Sequence, residues 1–386
     1  MLHLLLAVIY LAFISLGLPD GLLGAAWPSI YPEQAVPMSY AGIISLIICI
    51  GTITSSLASE QLTHKLGVGR VTVLSVAMTA AALFGFSGSN TFWQLCLWAI
   101  PYGLGAGSVD ATLNNYVALH YSSRHMSWLH CMWGVGASTG PYLMGFLLSG
   151  GQHWTTGYRW VGILQIVLTA ILLLSLPLWK KSSKEETSSP LPLRKAIQVP
   201  GAAEIMVTFF CYCALEQTTV LWSASYLGLH AGLSQEMAAA FASMFFLGIT
   251  AGRAISGFAA MKLNDVQMIR LGMGIICAGI FILLLPIGSG GAMVGLSLVG
   301  LGCSPIYPCI MHSTPDNFGV QHSQALMGIQ TASAYVGTAL MPPLFGLIAN
   351  HIGISLMGIY LLILLVCMFF AHERMIRKCK QNHKND

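Results

Sequence analysis

The sequence predicts an all-α membrane protein: twelve transmembrane helices in two parallel six-helix repeats, with both termini cytoplasmic. Three observations carry this prediction. Apolar residues make up 55% of the 386 residues and charged residues 8%, against about 25% charged in an average soluble domain. The apolar residues fall in runs of about twenty, the length that crosses a bilayer as a helix and about twice that of a barrel strand. The runs of the first half also recur in the second. A soluble globule cannot hide this much apolar surface, so a soluble enzyme, a disordered chain and a nucleic-acid binder are excluded.

The runs read as spans at 4–27, 39–62, 68–88, 92–117, 127–149, 157–179, 201–228, 236–261, 267–287, 291–312, 323–349 and 354–372. The first has no Lys or Arg before it and is too long for the core of a cleaved leader, so it reads as a span. Of the 17 Lys and Arg, all but two fall on one side of this arrangement; Arg159 lies near the other side and Arg253 within a span. Short positive loops stay in the cytoplasm, which sets the orientation. The net charge of +4 follows from that topology and implies no acidic partner. The stretch WKKSSKEETSSPLPLRK (179–195) is polar, basic and rich in Ser and Pro. It makes 180–197 a cytoplasmic linker between a bundle at 1–179 and a second at 198–386 with a basic tail.

Most of the ten cysteines lie inside spans, and Cys211 and Cys213 are two apart, which is neither a zinc nor a redox spacing. No metal site and no cofactor are expected. No nucleophile or phosphate loop stands out, so no catalytic residue is assigned and the chain does not read as an enzyme.

The repeat shows at a nearly constant displacement. A shift of 197 residues carries Gly51 onto Gly248, Lys65-Leu66 onto Lys262-Leu263, and Gly103-Leu104-Gly105 onto Gly300-Leu301-Gly302. A shift of 201 carries Gly136, Pro141 and Gly145 onto Gly337, Pro342 and Gly346, and one of 196 carries Asp20 onto Glu216. Six spans per copy give both copies the same orientation in the membrane.

An ionisable residue inside a span is costly, so a functional role is the first hypothesis for it. Three of the 13 acids lie well inside spans: Asp20, Asp110 and Glu216. Asp110 shares a helical face with Gly103, Gly107 and Asn114, which offers a carboxylate and an amide one turn apart; Asn115 follows. Asp20 stands between Pro19 and Gly21, so the helix is expected to distort there and leave carbonyls free beside the carboxylate. Glu216 shares a polar face with Tyr212, Thr219 and Ser223, followed by Gln217, and is expected to line a water-filled cavity opposite Asp20. A carboxylate in such a place is costly in its charged form. It can take up and release a proton, which is what proton coupling requires; it can instead hold sodium with help from carbonyls and amides.

His130, at the cytoplasmic end of the fifth span, is placed to assist proton movement or to donate to a hydroxyl. Arg253 reads as a gate or structural residue, paired with an acid or with its own half's loop. Trp27, Trp133, Trp222, Tyr307 and Tyr335 lie near these faces, and aromatic rings of this kind pack against the C–H faces of sugars. Trp93, Trp154, Trp160 and Trp179 read as interface anchors.

The stretches GLGCSPIYPCIMHSTPDNFG (300–319), SWLHCMWGVGASTGPYLMG in the fifth span, GITAGRAISG in the eighth and GTALMPPLFGLIA in the eleventh resemble the major facilitator superfamily. The likeness is to its fucose/proton symporter-like branch, which also holds sodium-dependent glucose transporter-like proteins. The superfamily's Gly-x-x-x-Asp-Arg-x-Gly-Arg-Arg loop is degenerate here: LTHKLGVGR (62–70) keeps Lys65, Gly67 and Arg70, with His64 where the Asp would stand. The resemblance covers all twelve spans. It implies alternating access, with acids of the first and fourth helices, here Asp20 and Asp110, serving proton and sugar.

Together these give a secondary transporter, first read as a proton-coupled symporter of a monosaccharide or similar small polar solute, and as a monomer in a bacterial inner membrane. Asp20, Asp110 and Glu216 carry the coupling. Asn114, Asn115, Gln217, His130, Trp133, Trp27 and Tyr307 bind solute, and Lys65, Arg70 and Arg253 gate or brace. The rival readings are a proton-coupled efflux pump for amphipathic compounds, sodium-coupled sugar uptake, and a membrane sensor or scaffold without transport.

Overall fold

The structure, a computed structural model, describes residues 2–37, 40–179, 191–230, 232, 235–285 and 288–385. The regular structure among them is helical throughout. In chain order the helices are α1 (Leu2–Gly17), α2 (Leu22–Glu33), α3 (Ala41–Leu66), α4 (Val68–Ser87), α5 (Phe92–His120), α6 (Ser123–Ser149), α7 (Trp154–Ser175), α8 (Leu193–Ala196), α9 (Ala202–Leu229), α10 (Gln235–Ala259), α11 (Asp265–Leu284), α12 (Gly288–Cys303), α13 (Ile306–Phe318), α14 (Val320–His351) and α15 (Met357–Asn385). Among the described residues nine spans are long and apolar enough to cross a membrane. α5 and α6, at 29 and 27 residues, are long enough but stand outside the nine; they carry Asp110, Asn114, Asn115 and His130. Of the expected linker, 180–190 lies outside the described residues, and α8 forms near its end.

Two expected single spans are broken. The first is α1 and α2, separated by the turn Leu18–Gly21, where Pro19 has no N–H to continue the ladder. The turn closes with Asp20 N–H on the Gly17 carbonyl at 3.1 Å and Leu22 N–H on that of Pro19 at 3.1 Å. The tenth is α12 and α13, interrupted at Ser304-Pro305. A one-residue joint links α3 to α4: Gly67 takes φ 80°, a value that favours glycine, and its N–H caps the Thr63 carbonyl at 2.8 Å.

The chain forms two compact units, one of Met1–Tyr116 and Leu129–Leu191, the other of Val117–Trp128 and Pro192–Asp386. Each unit repeats the helix contacts of the other. In the first, α3 and α5 meet backbone to backbone: a Cβ on Gly103 would lie 2.3 Å from the Ile48 carbonyl oxygen. In the second, α10 and α12 do the same, with a Cβ on Gly300 at 2.1 Å from the Phe245 carbonyl oxygen. Both partners are displaced by the 197 residues read from the sequence. The contact of Gly136 on α6 with Ile14 on α1 (2.0 Å to its carbonyl oxygen) likewise returns as Gly337 on α14 with Phe210 on α9 (2.5 Å). Small residues permit such approach, which stands in for the hydrophobic drive that lipid cannot supply. Several hydroxyls in these apolar helices find main-chain partners, as Thr52 does on the Ile48 carbonyl at 2.9 Å and Ser56 on that of Gly107 at 3.2 Å.

Two of the expected interface tryptophans are buried. Trp154 is 1% exposed and donates from Nε1 to the Glu33 carboxylate at 2.7 Å. Trp179 donates to Ser175 Oγ at 3.1 Å and covers Gly69. A place at a span end does not say which side of the helix faces lipid. Trp93 and Trp160 are exposed.

In the second unit the segment Val117–Trp128 is held by a cluster that the sequence reading missed. Asp265, at the start of α11, accepts from the Ser123 hydroxyl and bonds His312 Nδ1 of α13 at 2.6 Å. His312 Nε2 meets the Tyr121 carbonyl at 3.2 Å. Both partners of the ring are acceptors, so both nitrogens donate. Trp128 packs edge-on against Phe258 of α10 at 5.7 Å. Asp265→Asn is expected to loosen this segment: losing a charge-assisted bond raises amide hydrogen exchange over 117–128 by about tenfold or more. Unchanged exchange there would show that other contacts hold it.

Candidate functional site

The first unit gathers a polar cluster where the α1–α2 turn meets α5 and α6. Gly17 lets the turn lean on α6, since a Cβ there would lie 2.2 Å from the Trp133 carbonyl oxygen. Asp20 is the exposed member. Its Oδ1 accepts from the Tyr102 hydroxyl of α5 at 3.2 Å, and its Oδ2 accepts from Trp133 Nε1 of α6 at 2.9 Å. Beside Tyr102 lies a cavity of about 10 Å³, lined also by Ser15, Pro19, Thr79 and Gln165; this is room for about one water.

The other members form a buried chain. Asn114 Nδ2 donates to Asp110 Oδ1 at 2.9 Å, one helical turn back. Asn114 Oδ1 bonds His130 Nε2 of α6 at 3.0 Å. Asp110, Asn114 and His130 are all buried, and the Phe13 ring of α1 stands edge-on to His130 at 5.4 Å. His130 and Trp133 lie three residues apart on α6, so one helix face serves both acids. The structure thus brings together Asp20, Asp110, Asn114, His130 and Trp133. It adds Tyr102, whose place on α5 gave no signal because it is off the Asp110 face. Asn115 is buried beside Asn114. Gly103 and Gly107, on the face where a neighbouring helix or a ligand was expected to approach, are taken up by α3.

Trp27 lies in the hydrophobic core of the first unit with Ile30, Trp154 and Tyr158. Lys65 and Arg70 are exposed on either side of the Gly67 joint.

In the second unit Glu216 of α9 faces Arg253 of α10, with Nη2 and Oε1 3.9 Å apart and both residues buried. The face with Tyr212, Thr219 and Ser223 is buried and does not form an open wall; Tyr212 donates to the Cys303 carbonyl at 3.1 Å. The expected water-filled lining at Glu216 is corrected accordingly: neighbouring helices fill it. Gln217 is half-buried next to Glu216, and the half-buried Tyr307 of α13 packs on Phe209 at 4.6 Å between ring centres. Removing one member of a buried ion pair leaves a bare charge and costs about 3–5 kcal/mol. Arg253→Leu is therefore expected to lose most of the folded protein recovered in mild detergent, and Glu216→Gln added to it is expected to restore part. A double variant no better than Arg253→Leu would mean that Arg253 acts through another partner.

A polytopic helical chain built of two like units, with a carboxylate cluster at a helix break, is organised as a membrane transporter and not as an enzyme. The chain belongs to the Major Facilitator Superfamily, whose sequence profile matches residues 9–323 and 205–383. It is 27% identical to an uncharacterised MFS-type transporter of Yersinia pestis, over 87% of each chain. It is 22% identical to bypass of stop codon protein 6 of Saccharomyces cerevisiae, over 89% of this chain and 76% of that one. Among solved structures, its fold matches the major facilitator transporter FucP in its outward conformation with TM-score 0.80 and 15% identity, covering 96% of this chain and 98% of that chain. It also matches the proton:xylose symporter XylE bound to 6-bromo-6-deoxy-D-glucose, with TM-score 0.78 and 12% identity over 95% and 94%. Family and fold make this a multi-pass membrane transporter of a small-molecule solute.

Proposed function

We propose that the chain is a proton-coupled symporter of a monosaccharide or similar small polar solute, working by alternating access with both termini in the cytoplasm. The observation that carries this reading is the cluster of Asp20, Asp110, Asn114 and His130 in the first unit: two carboxyl groups within spans, each bonded to neutral partners. The atoms around the acids favour a proton over sodium. Asp20 meets an O–H and an N–H, and Asp110 Oδ1 meets an amide N–H, whereas a hard cation is bound by oxygens. A Trp and paired amides beside a carboxylate are the groups that hold a sugar. Two proteins of this fold, the Escherichia coli fucose:proton symporter and the proton:xylose symporter, are named for this activity.

The test is uptake of labelled hexoses, pentoses and polyols into proteoliposomes under a pH gradient, a sodium gradient or neither. Uptake driven by the pH gradient alone is the expected result. Uptake driven by sodium would replace the ion. No uptake of any sugar, with pH-driven extrusion of amphipathic compounds from inverted vesicles, would overturn the reading in favour of efflux.

A further inference from the structure

The two oxygens of Asp20 have unlike partners. The Trp133 indole N–H only donates, whereas the Tyr102 hydroxyl donates or accepts by turning about its C–O bond. A proton placed on Oδ2 would turn that oxygen into a hydroxyl, a poorer acceptor for the indole N–H 2.9 Å away, and so weaken that bond. A proton placed on Oδ1 can be donated to the Tyr102 oxygen, 3.2 Å away. The tyrosine hydrogen then needs a new acceptor, and the small cavity lined by Tyr102, Ser15, Thr79 and Gln165 has room for a water that supplies one.

We propose that Asp20 is protonated on Oδ1, and that Tyr102 is the positioning residue that turns from donor to acceptor as the proton arrives, while Trp133 keeps its bond to Oδ2 in both states. This rests on the reading of Asp20 as a proton-coupling group. The proton comes from bulk water to Oδ1; Tyr102 keeps its own proton and redirects it into the cavity, so no group other than Asp20 changes charge. The other titratable groups of the cluster are Asp110 on α5 and His130 on α6. Both are tied to Asn114 and neither bonds Asp20.

The two partners then have different signatures. Trp133→Phe removes a donor from the charged form and from the neutral form alike, but charged acceptors lose more by it. Tyr102→Phe removes a donor from the charged form and an acceptor from the neutral form, so its two losses oppose each other. In proteoliposomes the midpoint of uptake against pH is expected to move to higher pH by about one unit in Trp133→Phe, and by clearly less in Tyr102→Phe. A larger shift in Tyr102→Phe overturns the proposal. Infrared difference spectra of the wild type between acid and alkaline pH supply a reading that needs neither variant to fold. The protonated carboxyl band should be accompanied by a change in the tyrosine C–O band, and both should vanish in Asp20→Asn. A carboxyl band that titrates with no tyrosine change overturns the switch while leaving proton coupling at Asp20 intact. A pH profile and carboxyl band unchanged in Asp20→Asn instead overturn the coupling role of Asp20 itself.

Discussion

In proteoliposomes held at 100 mV, negative inside, Asp20→Asn and Asp110→Asn are expected to carry solute down its gradient but not to concentrate it. One charge moving through 100 mV supplies about 2.3 kcal/mol, enough to accumulate a neutral solute about fifty-fold. The variants should bring that ratio to about one while still exchanging internal for external solute. The substitutions keep size and most hydrogen bonds. An amide at residue 110 still offers an oxygen to Asn114 Nδ2. An amide at residue 20 can turn its oxygen to Trp133 and its NH2 to Tyr102, the arrangement of a neutral Asp20. Loss of accumulation with exchange preserved would therefore report lost ionisation and not lost structure. A variant at either position that still concentrates its solute would remove that acid from the coupling path.

Gly136→Ala is expected to abolish folded protein, whereas Gly145→Ala in the same helix is expected to be harmless. A Cβ on Gly136 would lie 2.0 Å from the Ile14 carbonyl oxygen and 2.9 Å from Leu18 N, while nothing stands within 4 Å of one on Gly145. The atoms met are main chain, so no rotamer change relieves the clash and α1 must move away from α6. The cost should exceed the about 1–3 kcal/mol of ordinary overpacking, because the same shift breaks the bond between Asp20 and Trp133. At Gly145 the methyl group removes unfolded-state freedom and improves helix propensity, by up to about 1 kcal/mol. Recovery of monodisperse protein and its melting temperature in detergent measure both. Equal behaviour of the two variants would mean that α1 and α6 are not in backbone contact.

Much of this was legible in the sequence. Helix positions follow from apolar runs, and the repeat displacement followed from glycines because they mark backbone contacts, as Gly103 and Gly300 do. Asp20, Asp110 and Glu216 were visible because charge inside an apolar run is rare. The distortion at Asp20 could be read from the adjacent Pro19. What could not be read was partnership across the fold. Asn114 next to Asp110 is a local spacing, but His130 reaches Asn114 only through the packing of α6 beside α5, which no spacing in the chain reveals. Tyr102 looked like any span tyrosine. Asp265 looked like a helix-start acid, and only packing sets it against His312, 47 residues later. The polar face of Glu216 was misread because periodicity tells which residues share a side, not whether water or another helix lies there.

The main-chain contacts in the first unit bear on how force passes through it. Between most helices a layer of side chains yields by changing rotamers and absorbs small displacements. Between α1 and α6 the layer is absent at Gly17 and Gly136, so the joint has little compliance. The two helices are thus coupled close to Asp20, at the turn where α1 gives way to α2. At Gly17 and Gly136 the two helices are therefore joined stiffly, backbone against backbone, beside the Asp20 carboxyl group.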